Sequence, residues 1–114
     1  MRWNYDGRVF RGVANTPNGE VNGETRFVYR QRGEILEASY SGGGIRCGQM
    51  VGLVFEDGRL EYCYQHLTEA GELRSGRCLS RPELLEDGRV RLHERWRWTS
   101  GDLSSGESVV EEVR

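Results

Sequence analysis

Apolar and polar side chains alternate with a period of two along most of this chain, and residues 89–100 give the clearest run. One face of this run is almost entirely apolar and consists of Val90, Leu92, Trp96 and Trp98. Such alternation is typical of a strand with one face in a core and the other in water. Glu94 alone interrupts the apolar face, which marks it as a residue that needs a special explanation.

Turn signals separate further alternating segments before and after this run. They lie at Arg32-Gly33, Gly43-Gly44, Asp57-Gly58, Ala70-Gly71 and Asp87-Gly88. If these are two-residue hairpin turns, directly opposed residues share a face of the sheet. The inner face then stays inner through every turn. The inner rows predicted in this way are Leu36/Ala38/Tyr40, Ile45/Cys47/Gln49/Val51/Leu53/Phe55, Leu60/Tyr62/Tyr64/His66 and Leu73/Ser75/Arg77/Leu79.

The pattern predicts an all-β fold in one domain spanning residues 1–114. A single antiparallel meander of about eight or nine strands would bury its apolar face and remove its edges by closing into an up-and-down barrel. A two-sheet β-sandwich is the alternative. The first strand is expected near residues 8–14 and the last near 107–113. The longest irregular stretch, residues 15–23, is interpreted as a plain connection rather than a functional loop.

The predicted inner face carries more polar groups than a small filled barrel needs. The candidates for a ligand site are Tyr40, Tyr64, His66, Arg77, Arg81, Glu94 and Trp98. In the predicted register Arg81 opposes Glu94 as a buried ion pair, and Arg77 lies beside Trp98 for a cation–π contact. These groups either satisfy one another and fill the barrel, or line a pocket for a small polar or anionic ligand held by the two arginines.

A binding module without catalysis is the function that these residues favour, and an enzyme is the alternative. His66 is the inward histidine, and Glu94 could be its partner carboxylate in a general base. No nucleophile stands at a recognisable spacing from them. The chain has no phosphate loop, no dinucleotide glycine fingerprint and no cysteine pair with metal-ligand spacing, so no cofactor and no metal are expected.

Charge and composition also restrict the kinds of partner that the protein is expected to bind. The chain has 114 residues and a net charge of −2, so no overall basic field indicates nucleic acid. No apolar run reaches the roughly 18 residues that span a bilayer, and residues 1–6 lack the apolar core of a signal peptide. We therefore expect a cytoplasmic protein without a membrane partner. The three cysteines, which are expected to be free thiols, are Cys47, Cys63 and Cys78.

Several short motifs are spread over most of the chain. They are residues 39–43 (SYSGG), 48–54 (GQMVGLV), 78–80 (CLS), 92–102 (LHERWRWTSGD) and 106–108 (GES). Together they resemble a family of short bacterial proteins often labelled N-acetylglutamate synthase. The resemblance implies acetyl transfer from acetyl-CoA to glutamate. Residues 49–54 are the nearest string to an acetyl-CoA loop but lack its last small residue, so no catalytic residue is assigned from the resemblance.

Overall fold

The computed structural model describes residues 3–114, which form a closed antiparallel barrel of eight strands. The strands are β1 (Val9–Asn15), β2 (Arg26–Arg32), β3 (Ile35–Gly42), β4 (Ile45–Val54), β5 (Leu60–Thr68), β6 (Leu73–Leu84), β7 (Val90–Trp98) and β8 (Ser105–Glu112). Each strand pairs with its sequence neighbours, and β1 also pairs with β8. The predicted meander and its closure into a barrel are confirmed. No helix among residues 3–114 is long and apolar enough to cross a membrane.

The two ends of the barrel are covered by different parts of the chain. At one end the segment before β1 inserts Tyr5, which is fully buried against Phe10 and Tyr29. The Tyr5 hydroxyl donates to the Gly58 carbonyl at 2.6 Å. The other end, called the mouth from here on, carries the long loop of residues 16–25 between β1 and β2. This mouth loop reaches across to the end of β7, where its Asn18 carbonyl accepts a hydrogen bond from the Trp98 indole.

Three hairpin loops, residues 56–58, 69–71 and 86–88, share one geometry and one sequence pattern, Glu-x-Gly. In the first, the Phe55 N–H donates to the Arg59 carbonyl and the Gly58 N–H donates to the Phe55 carbonyl, both at 2.9 Å. The last glycine of each loop has a positive φ of 91°, 85° or 90°. These are three-residue loops that end in a left-handed glycine, not the two-residue turns assumed from the sequence.

The extra loop residue shifts the register by one, and a shift of one turns a strand over. The pairing of β4 with β5 places Met50, not Val51, opposite Tyr64. The loops at residues 69–71 and 86–88 each shift the register by one, so β6, which lies between these two loops, has the opposite face inward from the one predicted. The two shifts cancel at β7, which presents its predicted face to the interior. The predicted inward positions of Arg77 and Arg81 on β6 are therefore wrong, and both residues are exposed.

β4 also changes face within its own length. Its pairing with β5 shifts between Ile45 and Cys47, and its pairing with β3 shifts at the same level, between Tyr40 and Gly42. Ile45 and Gly48 are both buried, whereas Cys47 between them is exposed. Ile45 points inward as predicted, and the bulge accounts for the wrong inner row predicted from Cys47 onward. It also allows β3 and β5 on either side to keep their predicted faces.

Inward-facing glycines make room for the aromatic rings that fill the barrel. A Cβ atom added at Gly48 would lie 2.3 Å from the Tyr40 ring, and one added at Gly76 would lie 2.3 Å from the Tyr64 ring. No side chain larger than hydrogen fits there without moving a ring. Because glycine has no side chain, an inward glycine does not contribute to a hydrophobic pattern. The pattern of β4 and β6 is therefore dominated by their exposed apolar residues, which predicts the wrong inner row.

We predict that Cys47 and Cys63 react with Ellman's reagent in the folded protein and that Cys78 reacts only after unfolding. All three are free thiols; the first two are exposed, whereas Cys78 is buried and burial raises the pKa of its thiol. Titration with and without denaturant measures this directly. The variant Cys47→Ser should lose one fast-reacting thiol. If it lost the slow one instead, the β4 register described here would be refuted.

Candidate functional site

The interior of the barrel below the mouth contains a cavity of about 40 Å³. Its wall includes Glu20, Tyr40, Tyr64, His66, Glu94 and Trp98. A space of this size has room for at most a few water molecules, whereas small-molecule pockets measure roughly 300–1,000 Å³. The closed barrel is therefore almost completely filled by its own side chains.

The structure brings most of the sequence-predicted site residues to this cavity, but neither predicted arginine. Those on the cavity wall are Tyr40, Tyr64, His66, Glu94 and Trp98. Arg77 pairs with Glu61 on the outer surface, with 3.3 Å between Nη2 and Oε2. Arg81 is exposed and lies opposite His93 in the β6–β7 pairing. Neither arginine can hold a ligand inside the barrel.

Arg74 supplies the cation that the sequence analysis assigned to Arg77. Its Cζ atom lies 4.3 Å from the centre of the Trp98 ring, within cation–π distance. Arg74 is also the direct partner of His66 in the β5–β6 pairing. If Ala70-Gly71 is interpreted as the end of a three-residue loop, the sequence alone places Arg74 opposite His66. The sequence analysis missed Arg74 because it assumed a two-residue turn at this position.

A hydrogen-bonded chain links the mouth loop to the barrel wall. Glu20 Oε1 accepts from His66 Nε2 at 2.6 Å, and Glu20 Oε2 accepts from Arg74 Nη1 at 3.1 Å. His66 Nδ1 lies 2.8 Å from the Tyr40 hydroxyl. Burial raises the pKa of Tyr40, which keeps its hydroxyl protonated and able to donate to Nδ1. The Nε2–H group of His66 is then free to donate to Glu20.

Two tryptophan indoles donate to residues at the mouth, one in the mouth loop and the other at the end of β1. Trp98 Nε1 donates to the Asn18 carbonyl at 3.1 Å, and Trp96 Nε1 lies 3.3 Å from its acceptor, Asn15 Oδ1. The Asn18 amide in turn donates to the Ser105 carbonyl at 2.9 Å. The loop thus covers the mouth by placing its own acceptors on donors of the barrel wall.

Glu94 lies deeper in the barrel among hydroxyl groups. Its carboxylate accepts from the hydroxyls of Tyr62 at 2.7 Å, Ser108 at 2.8 Å and Ser80 at 3.4 Å. The predicted ion pair with Arg81 is wrong, because Arg81 points away from the interior. Burial raises the pKa of Glu94, and the three hydroxyl donors offset only part of that rise.

His66 and Glu94 do not form the acid–base pair that an enzyme hypothesis required. Both ring nitrogens of His66 are engaged, one by Glu20 and the other by Tyr40. The oxygens of Glu94 are engaged by hydroxyl groups. In the part of the chain that the structure describes, no three His, Cys, Asp or Glu side chains are grouped so that they could hold a metal ion.

Sequence reasoning missed Glu20 because residues 15–23 were interpreted as a plain connection. A loop has no periodicity, so no pattern indicates which of its side chains turns inward. The available signal was length, since compact surface loops of about 6–16 residues are frequently functional. Once the loop is placed over the mouth, Glu20 is the carboxylate that reaches His66 and Arg74.

Comparison with known proteins agrees with this barrel. A family model described as avidin-like protein matches residues 3–113, and no curated protein matches the chain. The resemblance to short bacterial proteins labelled N-acetylglutamate synthase is therefore wrong, and the acetyl transfer that it implied is not supported. The barrel and its family are consistent with a module that binds a small ligand.

We predict that Glu94 makes the protein less stable as the pH rises. Burial raises the pKa of this carboxyl group in the folded protein above its ordinary value of 4.5. Its contribution to the free energy of unfolding is therefore complete below pH 4.5 and is lost as the pH rises through the pKa of the folded state. Glu94→Gln stays neutral and should remove this loss. Its free energy of unfolding should therefore increase relative to the wild type as the pH rises above about 4.5, by at most about 1.4 kcal/mol per pH unit.

Urea unfolding at a series of pH values provides the measurement. Glu86→Gln is the matched control, because Glu86 is exposed in a hairpin loop. Its difference from the wild type should stay constant over the same range. A Glu94→Gln difference that is equally flat would contradict the prediction.

Proposed function

The chain belongs to the avidin-like protein family, and from that premise we propose that its barrel binds a small ligand with an apolar body and a carboxylate group. The observation that carries the proposal is the pair formed by Arg74 and His66 at the edge of an aromatic cavity.

The apolar part of the ligand would pack against aromatic rings. Trp98 contacts Tyr64 and His66, with ring centroids 5.7 and 5.8 Å apart, and Trp96 lies 5.4 Å from Trp98. These rings line the cavity between the mouth and Glu94. Flat apolar surfaces with a few polar groups among them are typical of small-molecule sites.

The carboxylate would bind between Arg74 and His66. A guanidinium group presents several N–H donors in a planar arrangement that matches a carboxylate, and hydrogen bonds between charged partners are stronger than neutral ones. Arg74 is fixed by its contact with Trp98, and His66 is fixed by its hydrogen bond to Tyr40. Both donors are therefore already oriented, which lowers the entropy lost on binding.

A ligand of this kind needs more space than the closed barrel offers. The cavity of about 40 Å³ is too small for it, so the mouth must open before the ligand enters. Deeper in the cavity, Glu94 and Ser108 offer hydrogen-bonding groups to a polar part of the ligand. The cytoplasmic location expected from the sequence stays a prediction.

Biotin is a suitable first probe, because avidin-like proteins bind small ligands such as biotin, and octanoate is a second carboxylate with a plain apolar body. We predict that isothermal titration calorimetry detects binding of at least one of them. Biotin should bind more tightly than its methyl ester, which lacks the charge. The ratio of the two affinities isolates the carboxylate contact, since the free energy needed to open the mouth is common to both.

Arg74→Gln should reduce this affinity ratio by about tenfold, the loss expected for one hydrogen bond between charged groups. Arg77→Gln is the matched control, because Arg77 lies on the same strand but is exposed on the outer surface. It should leave the ratio unchanged. The proposal is refuted if neither biotin nor octanoate binds at millimolar concentration, or if the two arginine variants change the ratio equally.

A further inference from the structure

We propose that Glu20 is a built-in occupant of the carboxylate site, so that the mouth loop acts as a displaceable plug that a ligand carboxylate must replace. The identity of the ligand rests on the function proposed above. The plug itself rests on the contacts of the mouth loop alone, so the two can be tested separately.

Glu20 is bound in the way that a carboxylate ligand would be. Its two oxygens accept from donors on two neighbouring strands, His66 on β5 and Arg74 on β6. The His66 side chain is only 2% exposed, whereas that of Glu20 is 25% exposed. The buried imidazole N–H would have no partner if Glu20 left and nothing replaced it, which carries a free-energy penalty. The site therefore favours permanent occupation by a carboxylate, either from the chain or from a ligand.

Glu20 does not use all the donors of the site. The Nε atom of Arg74 is buried and has no hydrogen-bond partner among the described residues, although Nη1 binds Glu20. An arginine can donate from Nε and one Nη to the two oxygens of a single carboxylate. A ligand carboxylate that is not tethered to the mouth loop can adopt that arrangement. It would then satisfy a donor that Glu20 leaves unpaired.

The contact of the mouth loop with the Trp98 indole is of a kind that a ligand can replace. The loop carbonyl of Asn18 occupies the Trp98 indole N–H, and the Asn15 side chain, at the end of β1, occupies that of Trp96. Val21 is the loop residue that packs against the core as an apolar side chain, and it is only partly buried. Opening the loop thus exposes little apolar surface and frees the Trp98 indole donor on the same wall.

The first experiment tests the plug without the proposed ligand. Acetate is titrated into the wild type and into Glu20→Ala, and the imidazole resonances of His66 are followed by NMR. The variant should show a saturable shift at millimolar acetate, and the wild type should show none, because its site is already occupied. A variant that does not respond to acetate would overturn the proposal, as would a wild type that responds equally.

The matched control is Glu24→Ala, because Glu24 lies in the same loop with an exposed side chain. It should behave as the wild type. Glu20→Gln keeps the size of the side chain and removes its charge, so it serves as a second variant should Glu20→Ala fail to fold. It should also respond to acetate, at higher concentrations than Glu20→Ala.

The second experiment uses biotin and octanoate as probes of the whole site. Glu20→Ala should bind each of them at least about tenfold more tightly than the wild type, because the competing occupant is gone. Unchanged or weaker binding would overturn the plug. If neither probe binds to any variant while acetate still binds to the Glu20 variants and not to the wild type, the proposed function fails and the plug stands.

Discussion

Left-handed glycines in three hairpin loops decide which side chains enter this barrel. Gly58, Gly71 and Gly88 each allow a loop of three residues, and the length of the loop sets the register of the strands on both sides. If the register between β5 and β6 shifted by one residue, the inner face of one of these two strands would turn outward. Either His66 on β5 or Arg74 on β6 would then leave the site. The aromatic wall, the Arg74–His66 pair and the buried Glu94 all depend on this choice.

The interior then separates its polar groups by depth. Glu94 is fully buried among neutral hydroxyl groups, and burial favours its protonated form. Arg74 lies at the mouth, where its side chain is 20% exposed and keeps part of its hydration. Placing the cation at the edge avoids most of the desolvation penalty of a buried charge. A negatively charged group is therefore favoured at the mouth and disfavoured deeper in the barrel.

The sequence predicted the barrel and the inner faces of β5 and β7, because those strands alternate strongly between large apolar or aromatic and polar residues. It misplaced β4 and β6 for two physical reasons. Asp-Gly and Ala-Gly fit loops of two or three residues equally well, and inward glycines such as Gly48 and Gly76 contribute nothing to a hydrophobic pattern. Glu20 was beyond prediction, because the direction of a loop side chain depends on contacts between distant parts of the chain.

A filled barrel is compatible with ligand binding if the proposed plug makes binding an exchange of one carboxylate for another. A carboxylate tethered to the barrel has an effective local concentration in the millimolar range or above, so a free carboxylate alone competes poorly with Glu20. A ligand that also carries an apolar body gains about 25 cal/mol for each Å² of apolar surface that it buries against the exposed rings. Only a molecule with both features replaces the mouth loop at low concentration. The proposed plug would thereby turn a general anion site into one that also selects for the shape and apolar surface of the ligand.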